Sequence, residues 1–244
     1  MRCVGLILFA IVQIVSAHAQ DSEALGQRVL EVSHSTRIND REMKPWHLRI
    51  SFKLYDSKGR PSDQGTIEQW WAEPMMSKLR VESASYTSTV IENHEGYFQT
   101  AGTGPPQQIQ AILQIFEYPI PMAEDLSHTE WKLRHDRFEG KSLDCIQQKI
   151  ATTVVSAATL CLDPATNTLR AINPFTPRSI LLNNVESFQG RSVAHSATWK
   201  TGDSNTVTAE VTDLSDLSNT DGLFIPSQDM EQTKDIHRSK IIVK

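Results

Sequence analysis

Histidines are the residues of this chain best suited to metal binding or acid–base chemistry. The chain has 8 histidines among 244 residues. A zinc-protease helix carries two histidines four positions apart, but the segment "NHEGY" at 93–97 contains only one. No two histidines in the sequence have that spacing on a plausible helix, so we expect no metal site. We expect surface positions in strands or loops for His47, His94, His128, His135 and His195.

Nucleophile and phosphate-binding motifs are also missing from the sequence. There is no GxSxG elbow, so "SHS" at 33–35 is more typical of a polar helix end than of a nucleophile with its base. The "GTGPP" segment at 102–106 lacks the lysine of a phosphate loop and is typical of a turn. We therefore expect a protein that is not an enzyme and needs no cofactor. A hydrolase would require a histidine and a carboxylate clustered in a cleft.

The cysteines point to a structural role. Cys3 lies in the first apolar segment, which leaves Cys145 and Cys161 on neighbouring candidate strands. In an exported chain this even pair predicts a disulfide, which closes a loop of about 15 residues and contributes on the order of 3 kcal/mol. A metal or redox pair is the alternative, but CxxC spacing and a neighbouring histidine are both missing.

The N-terminus has the layout of a secretory signal. Arg2 precedes an apolar run of about ten residues, and Ala17, His18 and Ala19 follow as a small-x-small triplet. We predict a signal peptide over residues 1–19, cleaved between Ala19 and Gln20. A membrane anchor is the alternative, but it needs about 20 apolar residues, and no later segment of that length follows. The expected location is the periplasm or the extracellular space.

The composition narrows the partners and the domain count. The formal net charge is -5, and neither a basic stripe nor a polybasic cluster is present, so nucleic acid is not an expected partner. Hydrophobic residues make up 39% of the chain, enough for one packed core. We find no low-complexity linker and predict a single domain over 20–230 with a C-terminal tail over 231–244.

The first elements that position these residues have clear patterns. Residues 22–33 carry apolar side chains at helical spacing, and residues 46–54 alternate apolar and polar like a strand with one buried face. A second strand in "TIEQWWAEP" should end at Pro74. Side chains alternate across a strand, so Trp71, in phase with Ile67, should face the core or a cavity, while Trp70 faces the opposite side.

The rest of the chain predicts the fold class. Short extended segments suggest an antiparallel meander, and an apolar stripe over 107–118 predicts a helix that interrupts it before Pro119. Further short strands follow up to a tail from 218 that should be a loop or an extended arm. Such a set favours a mainly β fold with about two amphipathic helices, in which a curved antiparallel sheet forms a half-open barrel covered by the helices.

These elements resemble the LolA-like family of half-open barrels from bacterial envelopes. The resemblance rests on the opening helix, the strand "HLRISFKLYD", the segment "GTIEQWWAEPMMSKLRVE", the glycine before an aromatic pair in "VIENHEGYFQT", the helix over 107–118 and the closing "LFIPS". It covers residues 22–230 in order of elements. The family resemblance implies a hydrophobic cavity that receives lipid or the acyl chains of lipoproteins.

The resemblance also suggests which residues line such a cavity. A lipid-gating arginine is matched only by strand position, with Arg49 and Arg80 as candidates. The candidate apolar lining consists of Trp46, Phe52, Trp71, Met75, Phe98, Ile109, Ile112, Leu113, Phe116 and Trp199.

Two alternatives to a ligand cavity stay open at this point. The same aromatic residues could fill the core between sheet and helix. The protein could then be an envelope interaction or sensor module whose strand edge and C-terminal arm bind another protein. In the cavity hypothesis, the helix over 107–118 together with Met75 and Met76 would act as a lid, because methionine adapts to irregular apolar sites.

Overall fold

The computed structural model describes residues 21–100, 104–120, 130–149 and 158–233. The predicted signal peptide lies outside these residues, as does most of the predicted C-terminal tail. The described chain contains two helices, α1 over 21–35 and α2 over Gln107–Glu117. Both agree with the helices predicted at 22–33 and 107–118.

The strands run in order along the chain. Those before α2 are β1 Trp46–Tyr55, β2 Pro61–Glu73, β3 Met76–Ser83, β4 Thr87–Asn93 and β5 Gly96–Thr100. Those after α2 are β6 Glu130–Phe138, β7 Lys141–Lys149, β8 Thr159–Leu162, β9 Leu169–Ile172, β10 Arg178–Phe188, β11 Arg191–Thr201, β12 Ser204–Asp216 and β13 Met230–Thr233. Hydrogen bonds join them into an antiparallel sheet that does not close on itself. This confirms the predicted fold class, a mainly β protein with a half-open antiparallel sheet and helices.

The chain divides into two compact units. Unit 1 takes in residues 1–35 and 120–181, and unit 2 takes in residues 36–119 and 182–244. Unit 2 has the strand order β13-β5-β4-β3-β2-β1-β12-β11-β10, and unit 1 has the order β10-β9-β8-β7-β6, so β10 contributes residues to both. The prediction of one domain over 20–230 stays a prediction.

Unit 1 is held together by helix contacts and by the disulfide. Arg28 on α1 donates to Asp144 at 3.0 Å and to Asn167 at 2.7 Å, while the Ser22 hydroxyl accepts the Trp131 N–H at 2.9 Å. Burial raises the pKa of Asp144, but hydrogen bonds from Arg28 and His135 outweigh it and lower the pKa below its usual value. These contacts fix α1 to β6 and β7.

The predicted disulfide is present. Cys145 and Cys161 lie directly opposite each other in the β7–β8 pair and are bonded. Both are fully buried in a cluster with Leu143, Ala171 and Leu181. The bridge therefore links neighbouring strands inside a small apolar core, as expected for a structural disulfide.

Unit 2 follows the sequence pattern closely. Trp46, Leu48, Ile50 and Phe52 alternate along β1 and are all buried. Strand β2 ends at Glu73, immediately before Pro74, as predicted. The predicted meander is formed by the antiparallel pairs that join β2, β3, β4 and β5.

The C-terminal part differs from the expected loop or arm in one respect. Met230–Thr233 form strand β13, which pairs antiparallel with β5. The sequence "MEQT" has no apolar alternation, so its extended conformation follows from pairing with β5 and not from a local preference. No helix in the described residues has both the length and the apolar character needed to cross a membrane.

Candidate functional site

The candidate site lies on one face of the central strands of unit 2, which we call the inner face. It carries Trp46, Leu48, Ile50 and Phe52 from β1 and Ile67, Gln69 and Trp71 from β2. In the β1–β2 register Trp46 lies opposite Trp71, Leu48 opposite Gln69 and Ile50 opposite Ile67. Because directly opposed residues share a face, this surface is apolar except at Gln69.

Two tryptophans form the aromatic part of the inner face. The Trp46 and Trp71 rings stack with centroids 5.9 Å apart and planes 10° apart. Trp46 has no exposed surface, and its indole N–H donates to the Ile38 carbonyl at 2.7 Å. Trp71 is buried as the strand phase predicted, and the hydrogen bond of its indole N–H allows the Trp46 ring to lie fully inside.

Helix α2 contributes a second apolar surface. Its buried apolar residues are Ile109, Ile112, Leu113, Ile115 and Phe116. The helix contacts β11, and its last residue contacts Gln69 of the inner face. The C-terminal end of α2 therefore meets the inner face at Gln69, and the apolar side chains of the helix are buried within the same unit.

The ends of α2 are weakly capped. Pro106 at the N-cap makes no side-chain hydrogen bond, and the first and last turns carry no compensating acidic or basic residue. An isolated helix of 11 residues is marginal in water. Burial of its apolar side chains therefore supplies most of the stability of α2.

Glu117 is a buried carboxyl at the end of this helix. Desolvation by burial raises its pKa to about 7, although hydrogen bonds from Gln69 and Asn39 and the charge of Arg37 act in the opposite direction. Asn39 Nδ2 lies 3.4 Å from Glu117 Oε2, and the Glu117 backbone carbonyl accepts the Ile38 N–H at 2.9 Å. Ile38 thus connects the end of α2 to the indole of Trp46.

Gln69 and Glu117, the polar pair at the end of α2, each have an oxygen atom without a hydrogen bond among the described residues. Gln69 Oε1 and Glu117 Oε1 are buried and have no hydrogen-bond partner among the described residues. Leaving buried acceptors unpaired costs stability, and a proton on Glu117 reduces that cost by removing the charge. The pair is a polar point in an otherwise apolar site.

Seven of the ten predicted lining residues are buried in unit 2: Trp46, Phe52, Trp71, Ile109, Ile112, Leu113 and Phe116. Trp199 is half-buried. It pairs with Val207 of β12, and Val207 pairs with Leu54 of β1. Because Leu54 and Phe52 lie two positions apart on β1, Trp199 is on the same face as Phe52. The apolar phase of the strands and of α2 therefore agrees with the observed burial, and a cavity lined by these residues stays a prediction.

The other two predicted lining residues lie elsewhere. Phe98 pairs with Ile91, which is in the same cross-strand row as Lys78 and Trp70, so Phe98 lies on the face opposite to Trp71. Met75 occupies the β2–β3 turn with φ 73° and has 42% of its surface exposed. The register thus separates these two residues from the stacked tryptophans.

The opposite surface of β1 and β2, which we call the outer face, is polar. The candidate gating residues Arg49 and Arg80 are exposed there, on either side of Glu68 in the strand register. A groove of about 260 Å³ on this unit is lined mainly by polar residues, including Ser51, Lys53, Tyr55, Thr198, Thr208 and Glu210. Such a groove suits hydroxyl groups or water better than an acyl chain.

Sequence reasoning missed a cluster of polar contacts around one histidine, His47, on the outer face. His47 was expected at the surface, but it is half-buried, with Nδ1 2.8 Å from Asp213 Oδ2 and Nε2 3.0 Å from Glu68 Oε1. Its ring lies 5.1 Å from that of Trp70, which in turn lies 5.3 Å from Lys78 Nζ. Both ring nitrogens are thus within hydrogen-bonding distance of a carboxylate.

Neither missed residue had a usable signal in the sequence. Asp213 lies 166 positions from His47, so only the strand pairing brings the two together. Glu117 follows directly on the apolar stripe of α2, and an acid at a helix end is usually exposed. Among the residues that the structure describes, no group of three His, Cys, Asp or Glu side chains is placed to hold a metal.

Comparison with known proteins identifies the fold. No family model and no curated protein matches the sequence. A domain assigned to an outer membrane lipoprotein-sorting protein of Vibrio parahaemolyticus matches with TM-score 0.51 and 10% identity, over 84% of this chain and 96% of that one. A LolA superfamily protein of Nitrosomonas europaea matches with TM-score 0.52 and 8% identity, over 82% and 97%.

A third solved structure agrees with these two. A DUF1329 family protein of Desulfovibrio piger matches with TM-score 0.50 and 8% identity, over 85% of this chain and 97% of that one. The chain has the LolA-like fold, which confirms the predicted resemblance at the level of the fold. At these identities the likeness extends to the fold alone.

Proposed function

We propose that this chain is an exported, non-enzymatic binding protein that takes an apolar ligand between the inner face and α2. The ligand class is lipid or the acyl chain of a lipoprotein. The observation that carries the proposal is the weakly capped α2, which has five buried apolar side chains and meets the apolar and aromatic inner face at Gln69. The similar domain from Vibrio parahaemolyticus, assigned to an outer membrane lipoprotein-sorting protein, supports the same class of ligand.

The ligand enters by displacing the helix. Trp46, Ile50, Ile67 and Ile112 have no exposed surface, so a guest that contacts them must first separate α2 from the strands. An acyl chain can replace the apolar contacts that α2 loses, because each buried methylene contributes about 0.8 kcal/mol. Eight methylenes then offset on the order of 6 kcal/mol of lost packing.

The location follows from the N-terminus and the cysteines. A signal peptide over residues 1–19 would deliver the mature chain to the periplasm, where disulfides persist. The bonded pair Cys145 and Cys161 fits such an oxidising compartment. Mass spectrometry of the mature protein purified from its own envelope tests both points, since cleavage should leave Gln20 as the first residue.

Adjacent tryptophans on opposite faces provide the ligand test. A brominated fatty acid quenches only tryptophans that it approaches closely, so it should quench the native protein by contacting the inner face. The Trp71→Phe variant should lose much of this quenching, whereas its neighbour Trp70→Phe should retain it. Equal losses in the two variants, or no quenching in the native protein, would exclude binding at the inner face.

Native mass spectrometry provides an independent test. Protein purified from its own envelope should carry lipid, and delipidated protein should take up a fatty acid in vitro. The variant Ile112→Glu places a charge in the buried α2 surface, and Gln108→Glu places the same charge at an exposed position of the same helix. Fatty-acid uptake should change in the Ile112→Glu variant, whereas the Gln108→Glu variant should take up fatty acid like the native protein. Recovery without lipid together with failure of uptake in vitro would contradict a carrier.

A further inference from the structure

The C-terminal segment is attached to the turn between β4 and β5. This turn, over residues 93–96, carries the "NHEG" sequence. Asn93 Oδ1 accepts the backbone N–H groups of Glu95 and Gly96 at 2.9 and 3.2 Å. Its Nδ2 donates to the Phe224 carbonyl at 3.1 Å. One asparagine therefore both shapes the turn and binds the segment that returns to it.

Strand β13 makes a side-chain-specific contact with the same turn. Gln232 Nε2 donates to the Glu95 carbonyl at 2.9 Å. A Cβ at position 96 would lie 2.6 Å from Gln232 Nε2, and Gly96 has φ 146°, a conformation that favours glycine. The turn thus leaves space for a carboxamide and presents an acceptor to it. We call this turn, together with the edge of β5 that pairs with β13, the strand-docking site.

The strand that occupies this site is weakly held. β13 has four residues, of which Met230 and Thr233 are half-buried and Glu231 and Gln232 are exposed. It therefore buries little apolar surface, and such edge elements open at low free energy. Four cross-strand pairs with β5, from Met230 opposite Thr100 to Thr233 opposite Tyr97, hold it in register.

The attachment upstream of β13 is stronger. Phe224 is 4% exposed, and its carbonyl is bound by Asn93. Its neighbour Ile225 is 71% exposed, and residues 227–229 are also exposed, so the segment between Phe224 and β13 is held only loosely. The segment can stay anchored at Phe224 while β13 leaves the edge of β5.

We propose that the strand-docking site accepts an extended segment of another protein that presents a glutamine side chain in the position of Gln232. In the free chain β13 occupies this site. Addition of a strand to an exposed sheet edge is an established mode of peptide recognition, in which backbone pairing supplies affinity and side-chain contacts supply specificity. Here the carboxamide contact at Glu95 and Gly96 supplies the specificity. The proposal is independent of ligand binding at the inner face.

Competition by a peptide tests the proposal on the full chain. The probe is a fluorescent peptide with the sequence of residues 228–233, QDMEQT, with blocked ends. The variant Gln232→Ala weakens β13, so it should bind the peptide at least tenfold more tightly than the native chain. The matched control Glu231→Ala leaves the Gln232 contact in place and should bind like the native chain. Replacing the peptide's own glutamine by alanine should reduce binding at least tenfold.

Further measurements guard against a misfolded variant. Hydrogen exchange should show faster exchange in β13 of the Gln232→Ala variant and unchanged protection in β1 and β2. Gly96→Ala should lose peptide binding. Equal binding of both peptides, equal affinity of the native and Gln232→Ala chains, or no binding to either chain would overturn the proposal. Formation of a strand-exchanged dimer in place of the peptide complex would also overturn it, because the occupant would then be a second copy.

Discussion

The inner and outer faces of β1 and β2 are built from alternate residues of the same strands, but they are stabilised differently. On the inner face Trp46 and Trp71 stack and are buried under the same unit's apolar side chains. On the outer face their sequence neighbours His47 and Trp70 are half-buried. His47 contacts the carboxylates of Asp213 and Glu68, and the ring of Trp70 contacts the ammonium group of Lys78. The comparison shows how one strand pair can provide an apolar surface and a polar surface at once.

The energetics of the two faces should differ accordingly. Apolar burial scales with the area removed from water, so inner-face substitutions remove large contributions. Partly exposed ion pairs contribute little, typically 0.2–1 kcal/mol by general experience. Glu117 is the exception on the inner side, because it is a carboxyl held in an apolar environment.

The largest effect is expected at the stacked tryptophans. Trp46→Ala should destabilise the fold by about 3–5 kcal/mol, because it leaves a cavity and removes the hydrogen bond to Ile38. Trp70→Ala, on the outer face, should cost about 1 kcal/mol. Urea denaturation of both variants measures the difference. Similar losses for the two variants would show that the faces do not differ as described.

The second effect concerns pH. The Glu117 carboxyl has its pKa raised to about 7 in the fold from 4.5, so the folded state holds a proton that the unfolded chain releases first. The contribution of the protonated Glu117 carboxyl to the free energy of unfolding is fully present below pH 4.5. It is lost as pH rises from 4.5 to 7, and above pH 7 the free energy no longer changes with this group. The loss amounts to at most about 3 kcal/mol.

Glu117→Gln should remove this pH dependence. The variant should match the native protein near pH 4.5 and exceed its stability at pH 8 by up to about 3 kcal/mol. Denaturation curves from pH 4.5 to 8 measure this, and the exposed Glu95→Gln variant serves as the control. A native stability that rises between pH 5 and pH 7 with a slope assignable to Glu117 would contradict the buried position.

A smaller effect is expected at the outer-face histidine. His47→Ala removes two hydrogen bonds to carboxylates and the contact with Trp70, which should cost about 1–2 kcal/mol. Asp213→Asn keeps the shape of one partner and should cost less than 1 kcal/mol. Chemical denaturation at neutral pH tests both variants. A loss as large as that of Trp46→Ala would place His47 among the core-forming residues.

The smallest effect is expected at Lys78. Its ammonium group lies 5.3 Å from the Trp70 ring centroid, and such a partly exposed cation–π contact contributes about 0.5–1 kcal/mol. Lys78→Ala should reduce stability by that amount and alter the fluorescence of Trp70. Comparison with the Lys78→Ala, Trp70→Phe double variant isolates the pair. No coupling between the two substitutions would rule the contact out.

Local patterns made much of the fold predictable. Alternation along β1 and the helical stripe of α2 reveal which side chains are buried, and Pro74 marks the end of β2, because these effects act over a few neighbouring residues. Strand β13 could not be predicted, because its four residues depend on pairing with β5. Apolar character alone also grouped Phe98 with Trp71, whereas strand register places them on opposite faces.

The candidate site was predictable only in its apolar part. The burial of seven predicted lining residues follows from phase, but the contact between Gln69 and Glu117 depends on where the end of α2 meets β2. Likewise, the carboxylates that contact His47 come from β2 and β12, which are distant from His47 in the sequence. Long-range pairing, which a single sequence does not encode in any local pattern, decides these contacts.

Hydrogen exchange with a bound fatty acid tests the central claim most directly. Because the ligand takes the place of α2 on the inner face, its binding should increase amide exchange in Gln107–Glu117 while β1 and β2 stay protected. The ligand-free protein under the same conditions is the reference. Fatty-acid binding that leaves exchange in α2 unchanged, or an absence of binding, would contradict the proposal that a displaceable helix covers an apolar ligand site.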